Sequence, residues 1–190
     1  NKSNWTALFR TIPFEQADFA EQSLLTAYLC EAVLDGLGWK SDISRRKLGL
    51  AAILQDSMIT NEDLCKIRSL EDPNLQMFTQ EEQDEYRNHP LKAAELSQHF
   101  QGYPDVDFII AQHHERPDAT GFPMGLASNK FSAHSALFIL ASNFVLKYAL
   151  GKRTPRDIAL ILEDLNRDFS IANFKEPLLY LIKSFRKPER

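Results

Sequence analysis

The segment that decides the fold runs from His113 to Leu126 and reads HHERPDATGFPMGL. It opens on two adjacent histidines and an acid, and a Gly-aromatic-Pro turn follows. Neighbouring side chains on a helix point about 100° apart, so the pair can reach two places in one cavity, which suits a multinuclear metal site better than a zinc finger. Taken alone, such a pair is more often a packing feature, so its meaning depends on the rest of the chain.

Apolar residues on either side of this segment recur at three- and four-residue spacing, and no convincing run alternates with period two. The pattern predicts an all-α chain folded as a single helical bundle. We expect about eight helices, near residues 15–37, 42–57, 60–68, 80–100, 104–115, 132–150, 155–168 and 174–185. Gly36 and Gly38 mark the end of the first helix, and Thr60 with Asp63 and Thr79 with Glu82 resemble capping boxes. Thr154 with Pro155 places a cap and a proline at the first position of another helix.

Composition narrows the class of protein. A length of 190 residues fits one domain, and 44% hydrophobic residues with 13 phenylalanines are enough for a packed core. The net charge of −4 gives no broad positive field, so we expect neither DNA nor RNA as a partner, whereas a small anionic ligand stays open. Cys30 and Cys65 lack zinc-site spacing, which favours buried thiols in a reducing, cytoplasmic setting.

No stretch of the sequence approaches the ~18 to 20 apolar residues of a membrane span, so we expect no membrane insertion. Residues 1–4 do not resemble the start of a signal peptide, and the chain begins without Met. The expectation is a single domain, 1–190, that forms the C-terminal part of a longer protein.

The string from His113 to Leu126 resembles the signature of the HD-GYP family, which runs HHE, a few residues, DGxGYP and then GL. His89-Pro90 is similar to the family's "HP" helix, and Asp56 stands in the place of the aspartate in its HD pair. The resemblance covers nearly the whole chain and implies an HD-domain-like helical bundle. In this family the ligands hold two or three divalent metals, usually iron or manganese, and a bridging hydroxide attacks cyclic di-GMP. The metal ligands implied here are Asp56, His89, His113 and His114.

Other positions depart from the family pattern. Gln22 and Gln55 stand where the family has histidines, and Asn143 stands where it has a metal-binding aspartate. Ile59 and Leu137 replace a lysine and a phosphate-facing arginine. Amide carbonyls are weak ligands for transition metals, so we predict that two-metal hydrolysis is lost. We expect no cofactor, or at most one divalent iron or manganese ion.

The alternative for these polar residues is purely structural. In that interpretation Asp56 and the three histidines form a hydrogen-bonded cluster in the bundle, and Gln22, Gln55 and Asn143 satisfy one another, because buried polar groups need partners.

The first functional hypothesis is a catalytically inactive signalling module that acts through protein-protein contact. We expect its interaction loop to be exposed and to include Arg116, Asp118, Gly121, Phe122 and Pro123, with Phe122, Pro123, Met124 and Leu126 as apolar anchors. In relatives such a loop contacts diguanylate-cyclase domains, so a domain of that kind is a candidate partner.

The alternatives are a cyclic di-GMP receptor without hydrolysis and a residual single-metal phosphodiesterase. An HDOD regulatory domain would not explain the HHE-to-GFP string. Two-fold association of the chain as a homodimer is also expected.

Overall fold

The computed structural model describes Thr6, Phe9, residues 19–39 and residues 41–186. Seven α-helices lie in this part of the chain: α1 Phe19–Leu37, α2 Asp42–Leu54, α3 Gln80–Ser97, α4 Val106–Ala111, α5 Ala133–Leu150, α6 Pro155–Phe169 and α7 Lys175–Arg186. Short 3-10 helices occupy Glu62–Lys66, Pro73–Met77, Ser128–Lys130 and Ala172–Phe174. Among the described residues the only extended pairing is one isolated bridge between Asp118 and Ala127. The all-α prediction is confirmed.

Seven of the eight predicted segments are α-helices. The predicted start of the first one, residues 15–18, lies outside the described residues, and α4 ends at Ala111 instead of reaching residue 115. The capping box of α3 is confirmed, since Thr79 exchanges hydrogen bonds with Glu82. The predicted cap of α6 at Thr154, before Pro155, is confirmed as well, and Thr154 also exchanges hydrogen bonds with Asp157.

The remaining predicted segment, 60–68, forms a 3-10 helix over Glu62–Lys66 instead of an α-helix. Its predicted capping box is wrong. Thr60 does not cap it, because the Thr60 backbone N–H and hydroxyl both donate to Glu85 on α3, at 2.6 and 3.0 Å. Asn61 takes over the cap by accepting from the Asp63 N–H at 3.0 Å. The hydrogen bonds from Thr60 to Glu85 thus attach the long connection between α2 and α3 to α3.

Helix α5 lies at the centre of the bundle, where it packs against α1, α2, α4, α6 and α7. Its apolar residues point to all sides, and Phe138 and Phe144 have no exposed surface. By length and composition alone α5 could cross a membrane, although no segment was predicted to do so. Of this helix, 61% is buried inside the protein. Such an all-round apolar helix is what the centre of a bundle requires.

A second, smaller apolar cluster lies beneath the connection between α2 and α3. It consists of Leu64, Ile67, Leu75, Tyr86 and Phe122. Phe122 belongs to the loop after α4, and Tyr86 lies on α3 one turn before His89. The cluster therefore brings the loop, α3 and the α2–α3 connection together at one end of the bundle, where the histidines also lie.

Candidate metal centre

Asp56, His89, His113 and His114 come together at the end of the bundle beside this second cluster. Each offers one potential ligand atom, and these atoms all lie within 4.8 Å of one another. Asp56 follows the C-terminus of α2, His89 lies on α3, and the histidine pair follows α4. The Asp56 side chain is 14% exposed, and His89 is fully buried. The structure thus joins four residues that stand up to 58 positions apart in the sequence.

The backbone of α3 holds the His89 ring in one orientation. Pro90 lies inside this helix, and a proline has no N–H to donate to the carbonyl four residues earlier. The Tyr86 carbonyl is therefore free to accept from another donor, and His89 Nδ1 lies 2.6 Å from it. A carbonyl can only accept, so Nδ1 carries the proton and His89 Nε2 presents a lone pair.

The His113 ring is held in the same way at the end of α4. Carbonyl groups in the last turn of a helix lack helical partners, and the Ile110 carbonyl accepts from His113 Nδ1 at 2.7 Å. His113 Nε2 consequently also presents a lone pair. Metal-ligating histidines almost always donate their second ring N–H to a carbonyl or carboxylate, which fixes both tautomer and orientation.

The lone pairs of His89 and His113 converge on one point with the Asp56 carboxylate. The two Nε2 atoms lie 3.1 Å apart, and Asp56 Oδ1 lies 3.2 Å from His89 Nε2 and 3.5 Å from His113 Nε2. Three acceptors at this distance repel one another unless a proton or a cation lies between them. Ligands about 2.1 Å from a metal at the tetrahedral angle lie roughly 3.4 Å apart. The donor set therefore fits one first-row divalent metal.

The surroundings of His89 and His114 favour the neutral form of the ring, which is the form that binds metal. Burial is the main cause that lowers the pKa of His89, and it outweighs the opposing effect of Asp56. Burial is the main cause that lowers the pKa of His114 well below its usual value, and the nearby His113 and His89 imidazoles disfavour a further proton in the same way. For Asp56, burial raises the pKa, but the contacts with the His113 and His89 imidazoles prevail and lower it, so this carboxyl stays ionised.

The three amide residues, Gln22, Gln55 and Asn143, line one cavity beside the cluster, as the resemblance implied for a lost part of the site. Their mutual satisfaction, expected in the structural interpretation, is not observed. Asn143 donates to the Ile139 carbonyl of its own helix at 2.9 Å. Gln22 Nε2 and Gln55 Oε1 are buried and have no hydrogen-bond partner in the described part of the chain.

Among the other residues that line this cavity, Thr26, Cys65 and Arg68 were not predicted to belong to the site. Thr26 lies four positions after Gln22 and therefore on the same face of α1, a spacing that could have identified it. Cys65 and Arg68 come from the α2–α3 connection, and no sequence pattern relates them to the site. Burial raises the pKa of the Cys65 thiol to about 12, so this sulfur is not a thiolate near neutral pH.

The loop after the histidine pair is built around Glu115, which has no exposed surface. Its carboxylate accepts from the backbone N–H groups of Met124 at 2.6 Å, Gly125 at 3.1 Å and Leu126 at 2.8 Å. A Cβ at Gly121 would lie 2.3 Å from the Arg116 backbone nitrogen, so only glycine fits where the loop doubles back. The acid of the HHE string thus shapes the loop instead of joining the four-ligand cluster.

The expectation that Phe122 is an exposed anchor is wrong, because this side chain is only 5% exposed. Its ring stacks on the His114 ring, and its N–H donates to the His114 carbonyl at 3.2 Å. Pro123 and Leu126 are half-buried, and Met124 is 46% exposed. Apolar packing behind the histidines therefore buries the Phe122 ring.

The remaining residues of the loop contact other parts of the protein, and so do the two residues that stand where the resemblance implies an arginine and a lysine. Arg116 forms an ion pair with Asp168 on α6 at 3.1 Å and lies 5.6 Å from the centre of the Phe169 ring. Asp118 is exposed and accepts from the Thr120 hydroxyl at 2.6 Å. Leu137 is buried in the main core, and Ile59 packs against the second cluster. Neither side chain carries the positive charge that the resemblance implies at its position.

Comparison with known proteins places this geometry in context. Residues 69–162 match the model of a family described as HD domain. Among solved structures, the chain is similar to Bd1817, an HDG"Y"P protein from Bdellovibrio bacteriovorus, with a TM-score of 0.68 and 21% sequence identity over 98% of this chain. The chain spans 58% of the length of that protein. The search of curated proteins found no match.

Proposed function

We propose that this chain, whose residues 69–162 match the model of the HD domain family, is a signalling domain that holds one divalent transition metal and does not hydrolyse cyclic di-GMP by a two-metal reaction. A single observation carries the proposal. Four ligands converge within 4.8 Å of one another, while the positions where further ligands are implied carry Gln22, Gln55 and Asn143. Iron and manganese are the candidate metals, and imidazole and carboxylate ligands suit both.

The chemistry of phosphodiester hydrolysis explains why one metal is not enough. In two-metal sites the ions lie about 3.5 to 4 Å apart; they lower the pKa of the attacking water and neutralise charge on the phosphoryl oxygens. The cavity side of the cluster offers neutral amides in place of imidazoles and a carboxylate. Such amides bind a second transition metal poorly.

A protein partner would meet only the outer surface of the loop. Asp118, Thr120 and Met124 are exposed there, whereas Phe122 is buried against His114. We propose that contact with a partner, of which a diguanylate-cyclase domain is the candidate, uses these exposed residues. A two-hybrid assay with such a domain should lose its signal with Met124→Asp and keep it with Met77→Asp, since Met77 is 83% exposed elsewhere on the surface. Equal signals would contradict this assignment.

The test of the metal and the reaction uses protein purified without chelator. We expect elemental analysis to find one iron or manganese per chain, and chromatography to find no linear product after incubation with cyclic di-GMP. Binding of cyclic di-GMP without product would favour the receptor alternative. Metal-dependent product formation would overturn the proposal in favour of a residual phosphodiesterase.

A gain-of-function variant makes the negative result meaningful. The triple change Gln22→His, Gln55→His and Asn143→Asp places ionic or imidazole ligands at the implied positions. We expect the metal content to rise above one per chain and product formation to become detectable. Two metals per chain with no hydrolysis would show that the ligand changes do not account for the lost reaction.

A further inference from the structure

Apart from His114 Nε2, which belongs to the four-ligand cluster, three buried polar atoms that line the cavity beside this cluster lack partners in the described part of the chain. They are Gln22 Nε2, Thr26 Oγ1 and Gln55 Oε1. The three residues are 6%, 1% and 3% exposed, respectively. Buried polar groups without partners are rare in native proteins, and each one requires an explanation such as a bound water or ion. Their convergence on one cavity indicates a bound polar species.

The size of the cavity limits what that species can be. Its volume is about 40 Å³, and one water needs roughly 10 to 15 Å³ by this measure. The space therefore holds about three waters or a group of similar size, but no nucleotide. Arg68, whose side chain is exposed, lines the outer part of the cavity and leaves access from solvent.

The charges around the cavity favour an anion. A divalent metal at the cluster would meet Asp56 as the only carboxylate among the four candidate ligands, which would leave positive charge uncompensated. The Arg68 guanidinium adds a second positive charge at the outer side. Hydrogen bonds to an anion are available from Gln22 Nε2 and the Thr26 hydroxyl.

Hydrogen-bond acceptors in the same cavity indicate which class of anion can bind there. Gln55 Oε1 has no donor in the described residues, and the Asp56 carboxylate also lines the cavity. An oxyanion that carries an O–H group can donate to these oxygens. Sulfate and phosphodiesters lack such a group at neutral pH, whereas inorganic phosphate keeps one in its dianion.

We propose that this cavity is a binding site for inorganic hydrogen phosphate, with the Gln22 amide and the Thr26 hydroxyl as donors and the Gln55 carbonyl as acceptor. The inference rests on the proposed function, because the bound metal supplies part of the positive charge. The phosphate here is a ligand that the amide residues select, and not a diester awaiting cleavage. The domain would thus respond to the concentration of free phosphate.

Isothermal titration of the metal-loaded protein, freed of excess metal, tests the site at pH 7.5. The titrants are inorganic phosphate, sulfate, methyl phosphate and dimethyl phosphate. We expect one inorganic phosphate per chain and binding at least about tenfold weaker for the other three, which is the factor for losing one hydrogen bond to a charged group. Sulfate or methyl phosphate binding as tightly as phosphate would overturn the proposed selectivity.

Near-isosteric variants test the individual contacts. Gln22→Met and Thr26→Val each remove a donor, and we expect each to weaken phosphate binding about tenfold or more. Gln55→Met should bring the affinities for phosphate and sulfate close together. Ser23→Ala is the matched control, since it removes a buried, unpartnered hydroxyl on the same helix that does not line the cavity. Unchanged phosphate affinity in Gln22→Met and Thr26→Val would overturn the inference.

Failure of this inference and failure of the proposed function can be told apart. A protein with one metal per chain, no hydrolysis and no phosphate binding would leave the proposed function standing and reject the phosphate site. Hydrolysis of cyclic di-GMP would reject the proposed function whatever the titration shows.

Discussion

The ring of Phe122 lies on the ring of His114, with centroids 4.4 Å apart and planes inclined by 15°. One residue belongs to the four-ligand cluster, and the other belongs to the loop that follows it. The Tyr86 ring contacts both, at centroid distances of 5.3 Å to Phe122 and 5.5 Å to His114. Loop packing and the orientation of a candidate metal ligand are therefore one structural unit.

We expect Phe122→Ala to weaken metal binding about 10- to 100-fold, the usual effect of removing a group that orients a ligating imidazole. The cavity left by the ring should also lower the free energy of unfolding by about 3 to 5 kcal/mol. Competition with a chelating dye measures the first effect, and urea denaturation measures the second. Phe108→Ala is the control, because Phe108 is 60% exposed. Unchanged metal affinity would show that Phe122 only fills space.

Pro90→Ala tests how the helix backbone orients His89. The substitution returns an N–H that competes with His89 Nδ1 for the Tyr86 carbonyl. We therefore expect metal affinity to fall about tenfold or more, while the helix itself is not weakened, since alanine favours helix interiors. Metal titration and a thermal melt followed by circular dichroism separate the two effects. A variant that binds metal as tightly as the parent would refute the assigned role of Pro90.

Glu115→Gln tests the loop. The substitution keeps the size of the side chain but removes the charge and one of the acceptors for the N–H groups of residues 124–126. Hydrogen bonds to charged groups contribute about 1.5 to 3 kcal/mol each, so we expect these amides to exchange hydrogen for deuterium much faster. Mass spectrometry of the loop peptide reads the exchange, with Glu95→Gln on the exposed side of α3 as control. Equal protection in parent and variant would contradict the role of Glu115.

The metal-free protein should lose stability as the pH falls below about 6.5. The pKa values of His89 and His114 are lowered in the folded state, so the unfolded chain takes up protons first. Stability is then fully present above the unfolded pKa and is lost as the pH falls toward the folded values, by up to about 1.4 kcal/mol per pH unit for each histidine.

Urea denaturation at pH 7.5, 6.5 and 5.5 measures this dependence. His114→Gln should reduce the slope, whereas His99→Gln, at an exposed position, should not change it. A stability that is constant over this range would contradict the neutral state of the two histidines in the folded protein.

The sequence predicted the helices and the identity of the clustered residues well, because both depend on local or motif-level signals. Apolar spacing identifies α5, and the capping box identifies the start of α3. The burial of Phe122 could not be predicted in this way. It depends on Tyr86 and Leu64, which reach the loop from other parts of the chain.

The same limit applies to the amide residues. Gln22, Gln55 and Asn143 were placed at one site by resemblance, and the structure does bring them to one cavity. Their hydrogen bonding depends on side-chain directions, which a sequence pattern does not contain. Asn143 turns back to the Ile139 carbonyl, and that leaves Gln22 and Gln55 without it.

The wide sequence separation of the clustered residues has a consequence for unfolding. A metal bound by Asp56, His89 and the histidine pair would cross-link three segments and close two loops of the chain, much as a pair of disulfides would. The unfolded chain cannot offer the same preformed site, so free metal at about 100 times the dissociation constant adds roughly 2.7 kcal/mol to stability. Metal supply would then set the folding stability of the domain as well as the occupancy of its centre.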